Sequence, residues 1–195
     1  MIGIVDYGCG NLKSLENALE FMGFESRRMS GRDEILAVDR LILPGVGNFG
    51  HAGAELAKRG LAEALRERSA QGGPLLGICL GMQLLFEGST EAPGIPGLGL
   101  LEGSCERFAG PGLKVPHMGW SAVDFGDLSG AAYFVHSYYI LGWPAGRPAE
   151  SVGLASYGHP FLAAFRSGAL GGFQFHPEKS GSYGLNLLKE ALRWS

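Results

Sequence analysis

Residues 74–86 read PLLGICLGMQLLF. Leu75 to Ile78 form an apolar run of strand length, and from Leu80 onward leucine and methionine recur at helical spacing. Between the two periods stands one cysteine, Cys79, with Gly77 and Gly81 on either side. A strand that passes into a helix through G-x-C-x-G is the thiol counterpart of the G-x-S-x-G nucleophile elbow, a sharp turn that pushes one side chain outward. The glycines are needed because Cβ atoms beside such a turn would meet the packed chain. A cysteine at a helix N-terminus is also favoured as the thiolate, since unpaired backbone N–H groups there stabilise negative charge. The N–H of the next residue, Leu80, would point where an oxyanion develops during attack on a carbonyl. The competing reading makes Cys79 a small buried hydrophobe, as free cysteines often are. The elbow alone does not separate the two.

Upstream of this stretch the chain alternates the same two periods. MIGIV (1–5) is a short apolar strand, and NLKSLENALEFMG (11–23) places Leu12, Leu15, Leu19 and Met22 on one helical face, with Gly23 as a stop. RLILP (40–44) is a second buried strand, and the Ala/Leu/Arg-rich segment at about 51–68 reads as one amphipathic helix. PLLGI is then the third strand, followed by a helix from Leu80 to about Phe86. Strand and helix in alternation imply βαβ units and a mostly parallel sheet covered on both faces. From about 95 to 175 the pattern changes to short β-like pieces punctuated by glycine and proline: GLGLLEG, WSAVDF, AAYFVHSYYI, SVGLAS and LGGFQF. These predict antiparallel strands added to the parallel core. YGLNLLKEALRWS closes the chain at helical spacing. The fold class expected is therefore α/β, an open, mostly parallel sheet flanked by helices, in a single domain spanning 1–195.

Composition narrows the function classes. Of 195 residues 46% are hydrophobic and 18% charged, a globular balance, and the net charge of −3 comes without any Lys/Arg block. Nucleic acid and anionic membrane are thus poor candidates for the main partner. No stretch has the apolar length of a membrane span, and the N-terminus lacks signal-peptide character. Three cysteines, Cys9, Cys79 and Cys105, with no C-x-x-C spacing, argue against a disulfide scaffold or a metal site and for a reducing cytoplasm. No Walker motif or dinucleotide fingerprint is present, and no cofactor is expected.

FQFHPEKS (173–180) supplies the groups that a reactive thiol would use. His176 and Glu178 stand two apart across Pro177, which in extended backbone puts both on one side. A catalytic histidine needs a carboxylate on its far nitrogen to fix its tautomer, so Cys79, His176 and Glu178 make a Cys-His-Glu triad. Taken alone, the pair reads better as a surface histidine beside an ordinary acid. His51, His117, His136 and His159 have no acid in the same pattern. LILPGVGNFG (41–50) ends a parallel strand on the side where open α/β sheets bind ligands. Gly45 and Gly47 flank Val46, so peptides there can switch conformation and present a second oxyanion N–H. The plain alternative is a simple strand-to-helix turn.

GICLGMQLLF together with QFHPEKS resembles the class I, or triad, glutamine amidotransferases. More narrowly, DYGCGN (6–11), PGVGNF (44–49), VPHMGW (115–120) and YFVHSYY (133–139) are similar to the glutaminase subunits of imidazole glycerol phosphate synthase, in the family's order along nearly the whole chain. The resemblance implies a flavodoxin-like three-layer fold. It implies that Cys79 forms a glutamyl thioester, that His176 and Glu178 complete the triad, and that Val46 and Leu80 line the oxyanion hole through their backbones. By the same matching Gly47, Gln83, Glu91, Ser137 and Tyr138 fall at glutamine-binding positions. Asn11, Met118, Trp120, Tyr133 and Lys179 fall near the interface with a cyclase subunit of β/α-barrel fold, the heterodimer partner that would receive the ammonia. Trp120 and Tyr133 read equally as core or edge-strand packing. Cys9 takes no role. Ser121 departs from the family, which usually has Asn after HMGW, and this bears on a local hydrogen bond or an interface contact rather than on the triad. Alternatives within reach are a glutaminase of pyridoxal phosphate synthase, a hydrolase of γ-glutamyl peptides, or a catalytically silent partner-binding module. The isolated chain is expected to be a poor glutaminase if the Val46 peptide turns its carbonyl into the oxyanion site.

Overall fold

The computed structural model describes residues 1–194. The first half runs β1 (Ile2–Val5), α1 (Leu12–Phe21), β2 (Ser26–Met29), α2 (Arg32–Ala37), β3 (Arg40–Leu43), α3 (Phe49–Lys58), α4 (Leu61–Ala70), β4 (Leu75–Ile78) and α5 (Leu80–Leu84). The second half runs β5 (Gly88–Ser89), β6 (Ser104–Arg107), β7 (His117–Phe125), β8 (Leu128–His136), β9 (Tyr138–Tyr139), β10 (Ser151–Tyr157), β11 (His159–Ser167), β12 (Leu170–Phe173), a 3-10 turn (Pro177–Lys179) and α6 (Gly181–Ala191). Seven strands form one sheet in the order β10-β11-β12-β4-β3-β1-β2. From β2 through β12 neighbours are parallel, and β11 and β10 extend that edge antiparallel.

Alternation along the strands builds a core on each face of this sheet. In β3, Leu41 and Leu43 join one buried cluster with α2, α3, α4 and α5. Ile42 joins the other, with α1, α6 and the β7–β8 hairpin. The result is a three-layer arrangement in which the central strands are apolar on both sides, as parallel strands must be when crossovers cover them. The expected open, mostly parallel sheet with added antiparallel strands is the observed one.

Several local expectations are corrected. The single helix expected at 51–68 is two, α3 and α4, because Gly60 takes a left-handed φ of 68° that breaks the helical ladder. The strand β2 and helix α2 carry too few apolar residues to show a period; only Met29 and Ile35 of them are buried. GLGLLEG forms no strand; it wraps closely over the end of α5, where a Cβ on Gly97 would overlap the Phe86 carbonyl oxygen. LGGF is not merely an antiparallel piece, since β12 pairs parallel with β4 on one side and antiparallel with β11 on the other. That pairing is what assembles the site: the chain leaves β4 into Cys79 and leaves β12 toward His176 from adjacent strand ends. The Cys79 N–H donates to the Phe173 carbonyl at 2.7 Å, carrying the ladder one step past the strands.

Candidate active site

Cys79 has φ 53° and ψ −113°, the one non-glycine residue with positive φ among those described. Strain of this kind persists only where the surroundings over-determine it, and both flanking glycines do so. A Cβ on Gly77 would lie 2.6 Å from the Met82 Cα, and one on Gly81 would overlap the Leu43 carbonyl oxygen. Strand β3 and helix α5 therefore close on the elbow too tightly for any other residue.

His176 Nδ1 and Glu178 Oε1 are 2.8 Å apart and both side chains are buried. Their route to each other differs from the extended backbone expected of H-P-E. His176 is extended, but Pro177 starts a 3-10 turn, and the turn folds the Glu178 carboxylate back onto the ring. Ser180 clasps the turn in place: its hydroxyl donates to the His176 carbonyl at 2.7 Å and accepts the Tyr133 N–H at 2.9 Å. His176 Nε2 has no hydrogen-bond partner within the protein. Burial disfavours the imidazolium, yet the neighbouring Cys79 and Glu178 outweigh it and raise the imidazole to about 10. Glu178 thus holds the Nδ1 side of the ring, and Cys79 is near enough to favour its charged form.

A cavity of about 290 Å³ opens over Cys79, near the lower end of small-ligand sites. Val46, Gly47, Leu80, Gln83, Glu91, Ser137 and Tyr138 all line it, with Pro116, Val135 and His136. Every residue expected to hold the oxyanion or the substrate is therefore on one wall or another of a single chamber. Wider hollows of about 540 and 550 Å³ lie elsewhere, and neither is lined by a cysteine or histidine.

The loop after β3 is pinned at both ends. Tyr7 donates its hydroxyl to the Pro44 carbonyl at 2.9 Å, and a Cβ on Gly45 would come within 2.7 Å of that hydroxyl and 2.9 Å of the Leu80 Cβ. At the far end the Phe49 N–H donates to Glu91 Oε2 at 2.7 Å, and Asn48 caps α3 through the His51 N–H. Freedom to switch is left to Val46 and Gly47, the latter at φ 96° with open space around it. Glu91 therefore has one oxygen committed to the loop and the other without a hydrogen bond among the described residues. Gln83 is committed as well: its amide nitrogen donates to the Tyr138 carbonyl at 2.8 Å and to Gln174 Oε1 at 3.0 Å.

Of the five residues expected at a partner interface, Met118, Trp120 and Tyr133 lie on the β7–β8 hairpin, Lys179 on the 3-10 turn and Asn11 at the start of α1. Met118 and Trp120 are 64% and 58% exposed, so Trp120 is no core residue. Its ring stands edge-on to that of Tyr133, 5.8 Å away. Tyr133 touches the His176–Ser180 turn through its backbone, Lys179 lies exposed on that turn, and Asn11 caps α1 beside it.

Two buried groups at the site escaped the sequence reading. Gln174 is fully buried with its amide nitrogen 3.8 Å from Cys79 Sγ; a lone polar residue in the apolar run FQF was its signal. His117 and His136 pair at 3.3 Å between ring nitrogens beneath the cavity, and Ser121 reaches His117 Nε2 at 3.1 Å. Their residues are far apart in sequence and only the hairpin register, His117 opposite His136, unites them. Among the described residues no group of acidic, cysteine and histidine side chains could hold a metal ion, and no helix is long and apolar enough to cross a membrane.

Comparison with known proteins gives a consistent set of likenesses. A family model described as class-I glutamine amidotransferase matches residues 3–193. Imidazole glycerol phosphate synthase subunit HisH of Rhodopirellula baltica is 46% identical over 201 residues, covering 97% of this chain and 95% of that protein. The same subunit of Moorella thermoacetica is 46% identical over 198 residues, covering 96% and 92%. The chloroplastic imidazole glycerol phosphate synthase hisHF of Arabidopsis thaliana is 41% identical over 202 residues, covering 98% of this chain but 34% of that protein. A crystal structure of a glutamine amidotransferase superposes with a TM-score of 0.80 at 23% identity, covering 98% and 96% of the two chains.

Proposed function

The chain belongs to the class-I glutamine amidotransferase family, and from that premise we propose that it is the glutaminase subunit of an imidazole glycerol phosphate synthase, supplying ammonia to a separate cyclase subunit in histidine biosynthesis. The observation that carries the chemistry is the strained Cys79 elbow on the wall of an amino-acid-sized cavity, with the buried His176–Glu178 pair close to it.

Glutamine enters with its side-chain amide over Cys79. The Glu91 carboxylate takes the α-amino group, and Gly47, Ser137 and Tyr138 offer backbone and hydroxyl groups to the carboxylate. Because both amide hydrogens of Gln83 are spent within the protein, its contribution to the ligand is the acceptor Oε1. Cys79 attacks as the thiolate, its proton resting on His176 Nε2. The carbonyl carbon becomes tetrahedral, and its oxyanion is met by the backbone N–H of Leu80 and of Val46. Collapse breaks the C–N bond while His176 gives its proton to the departing nitrogen, leaving ammonia and the glutamyl thioester. His176 then takes a proton from water, hydroxide attacks the thioester, and glutamate leaves with the thiolate restored. Glu178 holds the ring in one tautomer throughout and balances its charge.

A partner subunit is supported by the relatives' shared subunit name and by the Arabidopsis protein, two thirds of which lies outside the match; its β/α-barrel fold is what the resemblance of the sequence implies. In this reading the rim of Asn11, Met118, Trp120, Tyr133 and Lys179 receives it. The loop pinned on either side of Val46–Gly47 leaves one peptide to respond to docking, and one missing oxyanion donor costs about 100- to 1,000-fold in rate. Glutamine turnover by wild type and Cys79→Ala, each with and without the cyclase and its nucleotide, tests the reading. Turnover should require Cys79 and rise strongly with the liganded partner. Undiminished release of glutamate by Cys79→Ala would refute it.

A further inference from the structure

We propose that Gln174 is a further catalytic residue of this reaction: its side-chain amide donates to the Cys79 sulfur and favours the thiolate, in an orientation dictated by the Tyr138 carbonyl. The inference rests on the reading of Cys79 as the nucleophile.

Gln174 stands between Phe173 and Phe175 with no solvent exposure. An amide so buried costs a few kcal/mol unless its oxygen and nitrogen find partners, and its two ends exchange by a half-turn, so the partners decide which end faces the sulfur. The decision starts at a backbone group. The Tyr138 carbonyl, in the strand paired with β6, can only accept. The Gln83 amide atom 2.8 Å from it must therefore be the nitrogen. That nitrogen's second hydrogen points to Gln174 at 3.0 Å, so the Gln174 atom there must be the oxygen. The remaining Gln174 atom, 3.8 Å from Sγ, is then the nitrogen. The reverse arrangement would set two NH₂ groups against each other and an oxygen lone pair against the sulfur.

The same carbonyl fixes a second arm. His136 Nδ1 lies 2.8 Å from it and must carry the proton, so His136 Nε2 accepts from His117 Nδ1 at 3.3 Å. His117 Nε2 is left to accept the Ser121 hydroxyl at 3.1 Å. A single main-chain acceptor thus sets the polarity of a chain that runs from the β7 surface to the nucleophile.

An N–H bonded to a thiolate is charge-assisted and about twice as strong as one bonded to a neutral acceptor, so a fixed donor biases the sulfur toward the anion. The titratable groups around the sulfur are His176, with Glu178 behind it, Tyr7, whose hydroxyl burial holds protonated, and Glu91 and His136 on the walls of the same cavity. His176 can move a proton; Gln174 cannot, and its effect is a constant bias.

Alkylation by iodoacetamide tests this without substrate. The rate at Cys79 is followed from pH 6 to 10 in the wild type, Gln174→Met and Gln83→Met, with Cys79→Ser correcting for Cys9 and Cys105 and circular dichroism checking the fold. Gln174→Met should slow alkylation at neutral pH by about tenfold to a hundredfold, and the rates should converge at high pH, where the thiol ionises without help. Gln83→Met, which frees the Gln174 amide to turn, should give a smaller loss of the same form. A folded Gln174→Met whose pH profile superimposes on the wild type overturns the proposal. If that variant does not fold, a Gln83→Met profile superimposing on the wild type overturns it. Wild type that is alkylated at Cys79 at no pH refutes the nucleophile reading itself, and this inference with it.

Discussion

His176 and His136 are both buried histidines close to each other, and their surroundings drive them in opposite directions. His176 is raised to about 10 because Cys79 and Glu178 outweigh its desolvation. His136 is lowered to about 3 by burial, against one backbone carbonyl that favours the proton. The signs fix how each couples folding to pH. A raised histidine contributes stability fully below its unfolded value, about 6.5, and loses it as pH climbs through the folded value. A depressed one contributes fully above about 6.5 and loses it as pH falls toward the folded value. Urea unfolding midpoints should therefore decline as acidity increases below about pH 6.5, as His136, with His117 also depressed by burial, is forced to charge. In Cys79→Ala one of the two supports of the His176 imidazolium is gone, so its titration should move to lower pH. NMR of the ring protons reads this directly, and an unchanged His176 titration would show that sulfur and imidazole do not interact.

Among the elements, α4 does more than cover the sheet. Its Arg68 is buried and makes five hydrogen bonds to four carbonyls, of Ile35, Val38, Asp39 and Pro74. The guanidinium thereby ties the end of α2 to the entries of β3 and β4, the two strands whose far ends lead into the Val46–Gly47 loop and Cys79. Arg68→Met keeps the stem and removes the donors, leaving carbonyls without their partner. It should cost about 3 kcal/mol in urea denaturation while leaving glutamine turnover per folded molecule unchanged. The hairpin β7–β8 acts differently. Its inward residues Val123, Phe125, Ala132 and Phe134 close the core over β4 and β12, while Met118 and Trp120 stay in water.

For the whole molecule, that exposed pair defines a face. Two large apolar side chains in solvent, beside Tyr133 and Lys179 and next to the turn that holds His176, fit a docking surface placed where an arriving subunit would press on the triad's support. Trp120→Ala should weaken binding to the cyclase by about 2 kcal/mol, roughly 30-fold in Kd, measured by titration calorimetry, with the fold intact. Affinity equal to the wild type would place the partner elsewhere.

The amino-acid sequence by itself determined the parallel core, the Cys79 elbow and the pairing of His176 with Glu178, because each rests on local grammar: strand runs against helical spacing, glycines where a turn leaves no room for Cβ, an acid near a histidine. Helix α1 was legible through Leu12, Leu15 and Leu19, whereas β2 and α2, with one buried residue each, had no period to read. Only the tertiary structure decided that β12 lies between β4 and β11, that a 3-10 turn rather than a strand presents Glu178, and that Gln174 and Gln83 share a chain with two distant histidines. Strand order and buried hydrogen bonds join residues dozens of positions apart, and such pairings leave no trace in the spacing of neighbours along the chain.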